Sequence, residues 1–154
     1  MSKAVLGVGS AHGDDQIGWH LVDCLSQLDQ VNNFEFEKIS APGGSLIDCF
    51  RRYDQILLID AGELGLKAGE FSFIEKADEY LLVGDSQPTH FSSHSLGVVD
   101  AYRLAQQLQI PLPQISLFLV QIEHTDTMAP ISNALQMRIA DYIQRVERFV
   151  SDNI

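Results

Sequence analysis

Acidic residues and one imidazole in three separate segments are the side chains of this sequence best suited to chemistry. Asp14 and Asp15 stand in a Gly-rich segment, Asp60 ends an apolar run, and His94 precedes an amphipathic stretch. Two carboxylates and an imidazole suit a divalent transition metal such as nickel or zinc, with coordination positions left for a substrate. The same residue types also fit structural roles as helix caps, strand-end turn residues or helix-entry residues. Residue type alone leaves both interpretations open.

The elements around these residues predict that they meet. Residues 4–8 form an apolar strand, followed by the Gly-rich turn and a helix over 15–28, with Asp14 placed to cap its first turn. A turn between a strand and a helix lies at the carboxyl edge of a parallel sheet, where open α/β folds build their sites. The run 55–59 is apolar on both faces, as a central parallel strand requires, and it ends at Asp60. His94 would lie at the same edge, just before a helix.

The rest of the chain alternates strands with helices. Further strands are predicted over 33–40 and 114–122, with an edge strand over 70–75 that could pair with residues 80–83. Further helices are predicted over 45–53, 95–109 and 132–150, and residues 41–44 are read as a break. We therefore expect a single domain over 1–154, a three-layer α/β/α sandwich with a mostly parallel sheet of about five strands.

Composition limits the possible partners. The formal net charge of −11 argues against nucleic acid or an anionic membrane as partner and favours a cation or a basic protein surface. Cys24 and Cys49 lie in predicted helices without ligand spacing, so we expect reduced thiols. Neither a signal-peptide pattern nor a membrane-length apolar run is found, and a cytoplasmic protein is expected.

Familiar cofactor and hydrolase motifs fail on inspection. A dinucleotide-binding fingerprint from Gly7 would need glycine at position 12, where His12 stands, and an acid at the end of the second strand, where residues 39–40 are Ile and Ser. P-loop, nucleophile-elbow and zincin motifs do not occur. The remaining histidines, for which surface or hydrogen-bonding roles are favoured over metal ligation, are His12, His20, His90 and His124.

At these residues the chain resembles the hydrogenase maturation proteases, endopeptidases that remove a C-terminal extension from the large subunit of nickel-iron hydrogenases. Their opening pattern is matched by Leu-Gly-Val-Gly-Ser over 6–10, then Asp14, Asp15 and Gly18. Their strand ending in Asp-Ala is matched by residues 58–61, their Ser/Thr-x-His segment by residues 92–97, and their Pro-then-strand by residues 113–122. Order and spacing agree along nearly the whole chain.

The resemblance implies a phosphorylase/hydrolase-like fold and an endopeptidase that processes the precursor of a hydrogenase large subunit. It assigns Asp15, Asp60 and His94 as the nickel-contacting and catalytic positions, with Asp15 preferred over Asp14 because it stands three residues before Gly18. The nickel would be supplied by the substrate, without an organic cofactor, and the protease would act as a monomer. Two alternatives remain: a non-catalytic hydrogenase-maturation binding module, and a zinc-dependent hydrolase of small substrates.

The chain departs from the family pattern in its opening turn. Ser10 replaces the usual asparagine, and the loop before Asp14 is one residue short. His12 and Gln16 occupy positions where an apolar and a small residue are expected. One interpretation is a subgroup with a different hydrogenase partner.

Overall fold

The computed structural model describes residues 2–28, 33–40, 42–77, 90–91 and 93–153, with the backbone alone at 42–43, 90–91 and 93–97. Its strands are β1 (Lys3–Val8), β2 (Glu35–Ile39), β3 (Gln55–Glu63), β4 (Phe71–Ile74), β5 (His90–Phe91) and β6 (Gln114–Gln121). Its helices are α1 (Ile17–Leu25), α2 (Pro42–Arg52), α3 (Ser93–Gln107), α4 (Asn133–Gln136) and α5 (Ile139–Asp152). A 3-10 turn, Gly13–Gln16, leads into α1.

The strands form one six-stranded sheet with the order β2-β1-β3-β6-β4, and β5 pairs with β3 off this path. The neighbours β2, β1, β3 and β6 run parallel, whereas β4 and β5 are antiparallel to their partners. The predicted fold, a mostly parallel α/β sheet of about five strands, is confirmed. In the described part of the chain, no helix has the length and hydropathy needed to span a membrane.

Two apolar clusters cover the two faces of the sheet. Ile56 and Leu58 of β3 belong to the cluster that includes buried residues of α2 and α3, whereas Leu57 and Ile59 belong to the cluster with α1 and α5. Successive side chains of a strand point to opposite faces. Asp60 therefore continues the row of Ile56 and Leu58, on the face where α2 and α3 pack.

Two glycines allow the start of α1 to lie directly on the strands. A Cβ atom at Gly18 would stand 2.7 Å from the carbonyl oxygen of Val8 and 2.8 Å from that of Ile59. A Cβ atom at Gly7 would stand 2.4 Å from the carbonyl oxygen of Gly18. Because backbone atoms lie this close, neither position has room for a side chain, and packing therefore requires glycine at both.

Two strands differ from their predicted bounds or partners. β3 continues past Asp60 to Glu63, since Ala61 and Gly62 still pair with β6 and Gly62 and Glu63 with β5. Sequence pattern alone could not show this, because the extension depends on partners distant in the chain. β4 forms the predicted edge strand and pairs with β6. Its alternative partner, 80–83, lies outside the described residues.

Two helices also differ. α2 begins at Pro42, within the predicted break at 41–44. Proline suits the first turn of a helix, where its missing N–H is not needed. The predicted last helix is divided into α4 and α5, with Met137 and Arg138 between them and Arg138 outside helical geometry (φ −111°, ψ 4°).

Candidate active site

Asp15 lies in the 3-10 turn between β1 and α1, and only 8% of its surface is exposed. The hydroxyl of Ser10 donates to Asp15 Oδ2 at 3.3 Å, and the backbone N–H of Ser10 donates to the Asp15 carbonyl at 3.2 Å. Ser10, which departs from the family pattern, is thus bonded to the acid that the pattern assigns to the site.

Asp60 lies at the same edge of the sheet. It is 3% exposed, and its Oδ1 accepts a hydrogen bond from the N–H of Ala61 at 2.8 Å. The preceding residue, Ile59, pairs with Gly7 near the end of β1, and the 3-10 turn packs against β3. The structure therefore brings the segments of Asp15 and Asp60 together, as predicted.

His94 is the second residue of α3, and its backbone follows β5 closely. Phe91 of β5 pairs with Gly62, which stands two positions after Asp60. Three residues span at most roughly 11 Å between Cα atoms, so the start of α3 lies near this edge. α3 also packs on the face of the sheet to which Asp60 belongs. The side chain of His94 lies outside the described residues.

Among the side chains that the structure describes, no group of three or more His, Cys, Asp or Glu residues is arranged to hold a metal ion. The predicted group includes His94, whose side chain is not in that set. Nickel contact by Asp15, Asp60 and His94 therefore stays a prediction, and so does their catalytic role.

Asp14 is a fully buried structural carboxylate. Its Oδ2 accepts hydrogen bonds from the N–H of Glu123 at 2.7 Å, the N–H of His124 at 3.2 Å and the hydroxyl of Ser132 at 3.0 Å. Its Oδ1 accepts from the N–H of Ser132 at 2.7 Å. The prediction that Asp14 caps the first turn of α1 was wrong, because its carboxylate instead joins the turn to residues 123–132.

His12 and Gln16 bond to the same segment. His12 Nδ1 accepts a hydrogen bond from the N–H of Met128 at 3.0 Å, which confirms the hydrogen-bonding role favoured for this histidine. Gln16 Nε2 donates to the carbonyl of Ala129 at 2.7 Å, and the N–H of Gly13 donates to the same carbonyl at 2.9 Å. His12, Gly13, Asp14 and Gln16 thus each bond to residues 123–132. In the same turn, Asp15 accepts the hydrogen bond from the Ser10 hydroxyl.

Comparison with known proteins identifies the family. The family model for hydrogenase maturation proteases matches residues 19–149, a range that includes Asp60 and His94 but begins after the 3-10 turn. The chain belongs to the hydrogenase maturation protease family. Family membership confirms the predicted enzyme class, a hydrogenase maturation endopeptidase. No curated protein sequence matches the chain.

Solved structures share the fold over almost the whole length. The hydrogenase maturating endopeptidase HybD from E. coli superposes with a TM-score of 0.80 at 20% identity, covering 99% of this chain and 94% of that one. The [NiFe] hydrogenase maturation protease HybD from Thermococcus kodakarensis superposes with a TM-score of 0.77 at 17% identity, covering 97% and 99%. An Escherichia coli endopeptidase solved in solution gives a TM-score of 0.76 at 22% identity, covering 95% and 90%. The opening turn, which the family model does not reach, lies within the shared fold.

Tyr142 of this hydrogenase maturation protease is a buried titratable residue outside the turn. Burial raises the pKa of Tyr142 to about 12; Arg138 opposes the shift, and the charges of Asp14 and Asp141 add to it. Tyr142 donates a hydrogen bond to the carbonyl of Gly69 at 2.5 Å. The tyrosine is therefore a neutral donor near neutral pH, and it joins α5 to the segment before β4.

Two further histidines and both cysteines have side chains in the described part of the chain. His20 is exposed on α1, and His124 Nδ1 lies 3.7 Å from a carboxylate oxygen of Asp126. Both cysteines are free thiols, as expected, and burial raises the pKa of Cys49 to about 11.

The role of residues 123–132 was missed from the sequence. Their polar composition indicated only a loop, and hydrogen bonds to residues more than 100 positions away leave no periodic signal. The departures of His12 and Gln16 from the family pattern were the sequence signal that could have indicated this role.

Proposed function

We propose that this protein removes the C-terminal extension from the nickel-loaded precursor of a nickel-iron hydrogenase large subunit, and that it recognises the nickel bound by that substrate. Family membership carries the proposal, because it supplies the peptidase activity. The arrangement of Asp15, Asp60 and the start of α3 at one edge of the sheet supports it.

The three proposed nickel contacts would make cleavage depend on metal loading. Two carboxylates and one imidazole form a mixed oxygen and nitrogen donor set that suits a divalent transition metal. Asp15 and Asp60 are both almost fully buried, so their charges are largely removed from water. A cation carried by the substrate would compensate these charges, and this binding energy would be gained only with a loaded precursor.

Hydrolysis needs an activated water molecule and a polarised peptide carbonyl. In the proposed mechanism the residues at the sheet edge would bind the nickel-bearing part of the precursor so that the peptide bond before its C-terminal extension lies beside them. A carboxylate in contact with the attacking water would serve as general base, and Asp15 and Asp60 are the candidates at that edge.

The charge of the protein fits a protein substrate with a basic surface. Its net charge is −11, and charged groups separated by water attract more weakly as salt screens them. We therefore expect weaker binding of the precursor at higher ionic strength. An affinity that does not change with salt would contradict an electrostatic contribution.

Cleavage of a matched nickel-loaded precursor, followed by mass spectrometry, tests the proposal. The wild-type protein should release one C-terminal peptide from the loaded precursor and none from the nickel-free precursor. Asp15→Asn, Asp60→Asn and His94→Gln should each lower the rate by about 100-fold or more. Asp100→Asn is the matched control, because Asp100 is an exposed acid on α3, the helix that carries His94.

Two results would overturn the proposal. Equal cleavage of loaded and nickel-free precursor would contradict recognition of nickel. A protein that purifies with one zinc per chain and cleaves no precursor would instead favour the hydrolase of small substrates.

A further inference from the structure

The segment 123–131, called the rim loop below, stands beside the turn that carries Asp15. Its residues Glu123 and His124 donate to Asp14, and the carbonyl of Ala129 accepts from Gly13 and Gln16. Six hydrogen bonds between the loop and residues 12–16 hold it in place. A surface loop with this many bonds to the turn that carries a proposed site residue is suited to contact whatever enters that site.

Met128 is the unusual residue of the rim loop. Its φ angle is 57°, in the left-handed region that residues with a side chain rarely adopt. Its side chain is 70% exposed, although it is large and apolar. Strained backbone persists only where surrounding contacts hold it, and it occurs preferentially at functional sites. Here the contact is the hydrogen bond from the N–H of Met128 to His12.

Two residues that bond to this part of the loop through their side chains, His12 and Gln16, also depart from the family pattern. His12 accepts from Met128, and Gln16 donates to Ala129. An apolar residue at position 12 could not accept the first bond, and a small residue at position 16 could not reach the second carbonyl. The departures and the strained loop are therefore parts of one arrangement.

The acidic residues of the rim loop indicate which kind of partner it would contact. Glu123 and Asp126 are exposed acids, and the Asp126 side chain is 79% exposed. A methionine side chain is flexible and adapts to irregular apolar surfaces. The combination suits a protein segment with an apolar side chain and a neighbouring cationic group.

We propose that the rim loop is a specificity surface, on which Met128 packs against an apolar side chain of the precursor while His12 and Gln16 act as positioning residues. This inference rests on the proposed function and deepens it, because it names which part of the protein selects among precursors. The loop contributes to binding of the precursor and not to the hydrolytic step.

The first test replaces Met128 by asparagine. Asparagine tolerates the left-handed conformation, so Met128→Asn removes the apolar side chain while the loop keeps its backbone. Leu108→Asn is the matched control, since Leu108 is 59% exposed just beyond α3, the helix that begins at the site edge. Partial burial of one methionine corresponds to about a ten-fold change in affinity. We expect KM for the precursor to rise about ten-fold in Met128→Asn, with kcat within about two-fold, and neither value to change in Leu108→Asn.

The second test addresses the positioning role. His12→Leu removes the acceptor for the N–H of Met128, whereas His12→Asn places a side-chain oxygen near the former Nδ1 position. We expect His12→Leu to raise KM and to accelerate hydrogen exchange of the Met128 amide. His12→Asn should restore both values most of the way towards those of the wild-type protein.

Affinity for the precursor, measured by surface plasmon resonance beside the cleavage assay, separates the inference from the proposed function. A wild-type protein that binds the precursor without cleaving it would refute the proposed function, and the affinities of the variants would still decide the role of the loop. Equal KM and equal affinity in the wild-type protein, Met128→Asn and Leu108→Asn would overturn the inference while cleavage stands. A fall in kcat at constant KM in Met128→Asn would also overturn it.

Discussion

Replacing Asp14 by alanine should strongly destabilise the protein, although the side chain is not assigned to the chemistry. The substitution leaves three N–H groups and the Ser132 hydroxyl without their acceptor. Glu123 is exposed and His124 is partly exposed, so water can replace the carboxylate at their N–H groups. Ser132 is 6% exposed, so its N–H and hydroxyl have little access to water.

The expected loss follows from these two classes of donor. A hydrogen bond to a charged group contributes about 1.5–3 kcal/mol, and a buried donor without a partner costs about 1–3 kcal/mol. The two donors on Ser132 stay buried without a partner and account for most of the loss, whereas the N–H groups of Glu123 and His124 regain water. We therefore expect the free energy of unfolding to fall by about 3 kcal/mol. For a chain of this size the melting temperature should fall by about 6–12 °C.

Urea unfolding followed by circular dichroism measures this loss. Asp126→Ala is the matched control, because Asp126 stands in the rim loop with a side chain that is 79% exposed. Its effect should stay within about 0.5 kcal/mol. A loss below about 1 kcal/mol in Asp14→Ala, with an unchanged dependence on urea, would refute the reasoning.

Three further predictions concern packing and titration. Gly18→Ala should lower the free energy of unfolding by about 2–3 kcal/mol, because the new Cβ would lie 2.7 and 2.8 Å from two strand carbonyls. Gly44→Ala places its Cβ where no atom lies within 4 Å, so it should stabilise α2 by about 0.5–1 kcal/mol. The folded protein raises the pKa of Tyr142 from 10.0 to about 12. Its contribution to the free energy of unfolding is therefore complete below pH 10 and is lost as the pH rises through 12. Urea unfolding should show this loss, about 2–3 kcal/mol, and Tyr142→Phe should remove it. Burial raises the pKa of Cys49 to about 11, so at pH 8 iodoacetamide should label the half-buried Cys24 well before Cys49.

Each of these predictions has a result that contradicts it. Equal stability of Gly18→Ala and Gly44→Ala would show that α1 can move away from the strands. A Tyr142→Phe variant that loses stability above pH 10 as steeply as the wild-type protein would place the alkaline titration elsewhere. Equal labelling rates of Cys24 and Cys49 in the folded protein would show that Cys49 is accessible.

Much of the fold could be predicted because local patterns encode it. The apolar runs of β1, β3 and β6 predicted the central strands, and the Gly-rich segment after β1 predicted the turn that leads into α1. The order of strands, turn and helices also predicted that Asp15 and Asp60 lie at one edge of the sheet. These features depend on residues that are neighbours in sequence or that fit a short motif.

Pairing between distant segments could not be predicted in the same way. The extension of β3 to Glu63 depends on β5 and β6, and the pairing of β4 with β6 depends on which edge of the sheet is free. The start of α2 at Pro42 shows a local signal that was misread, because proline in a first turn looks like proline in a break.

The two adjacent acids show most clearly where sequence stops and tertiary structure begins. The sequence by itself determined that a strand, a glycine-rich turn and a helix carry two carboxylates to the carboxyl edge of a parallel sheet. Only the tertiary structure decided that Asp14 serves the fold, because its partners Glu123, His124 and Ser132 lie more than 100 residues away in the chain. The same segment places Met128 beside the turn of Asp15 through His12. Hydrogen bonds of this kind join positions that no local pattern connects, so the division of roles between neighbouring residues is set by folding.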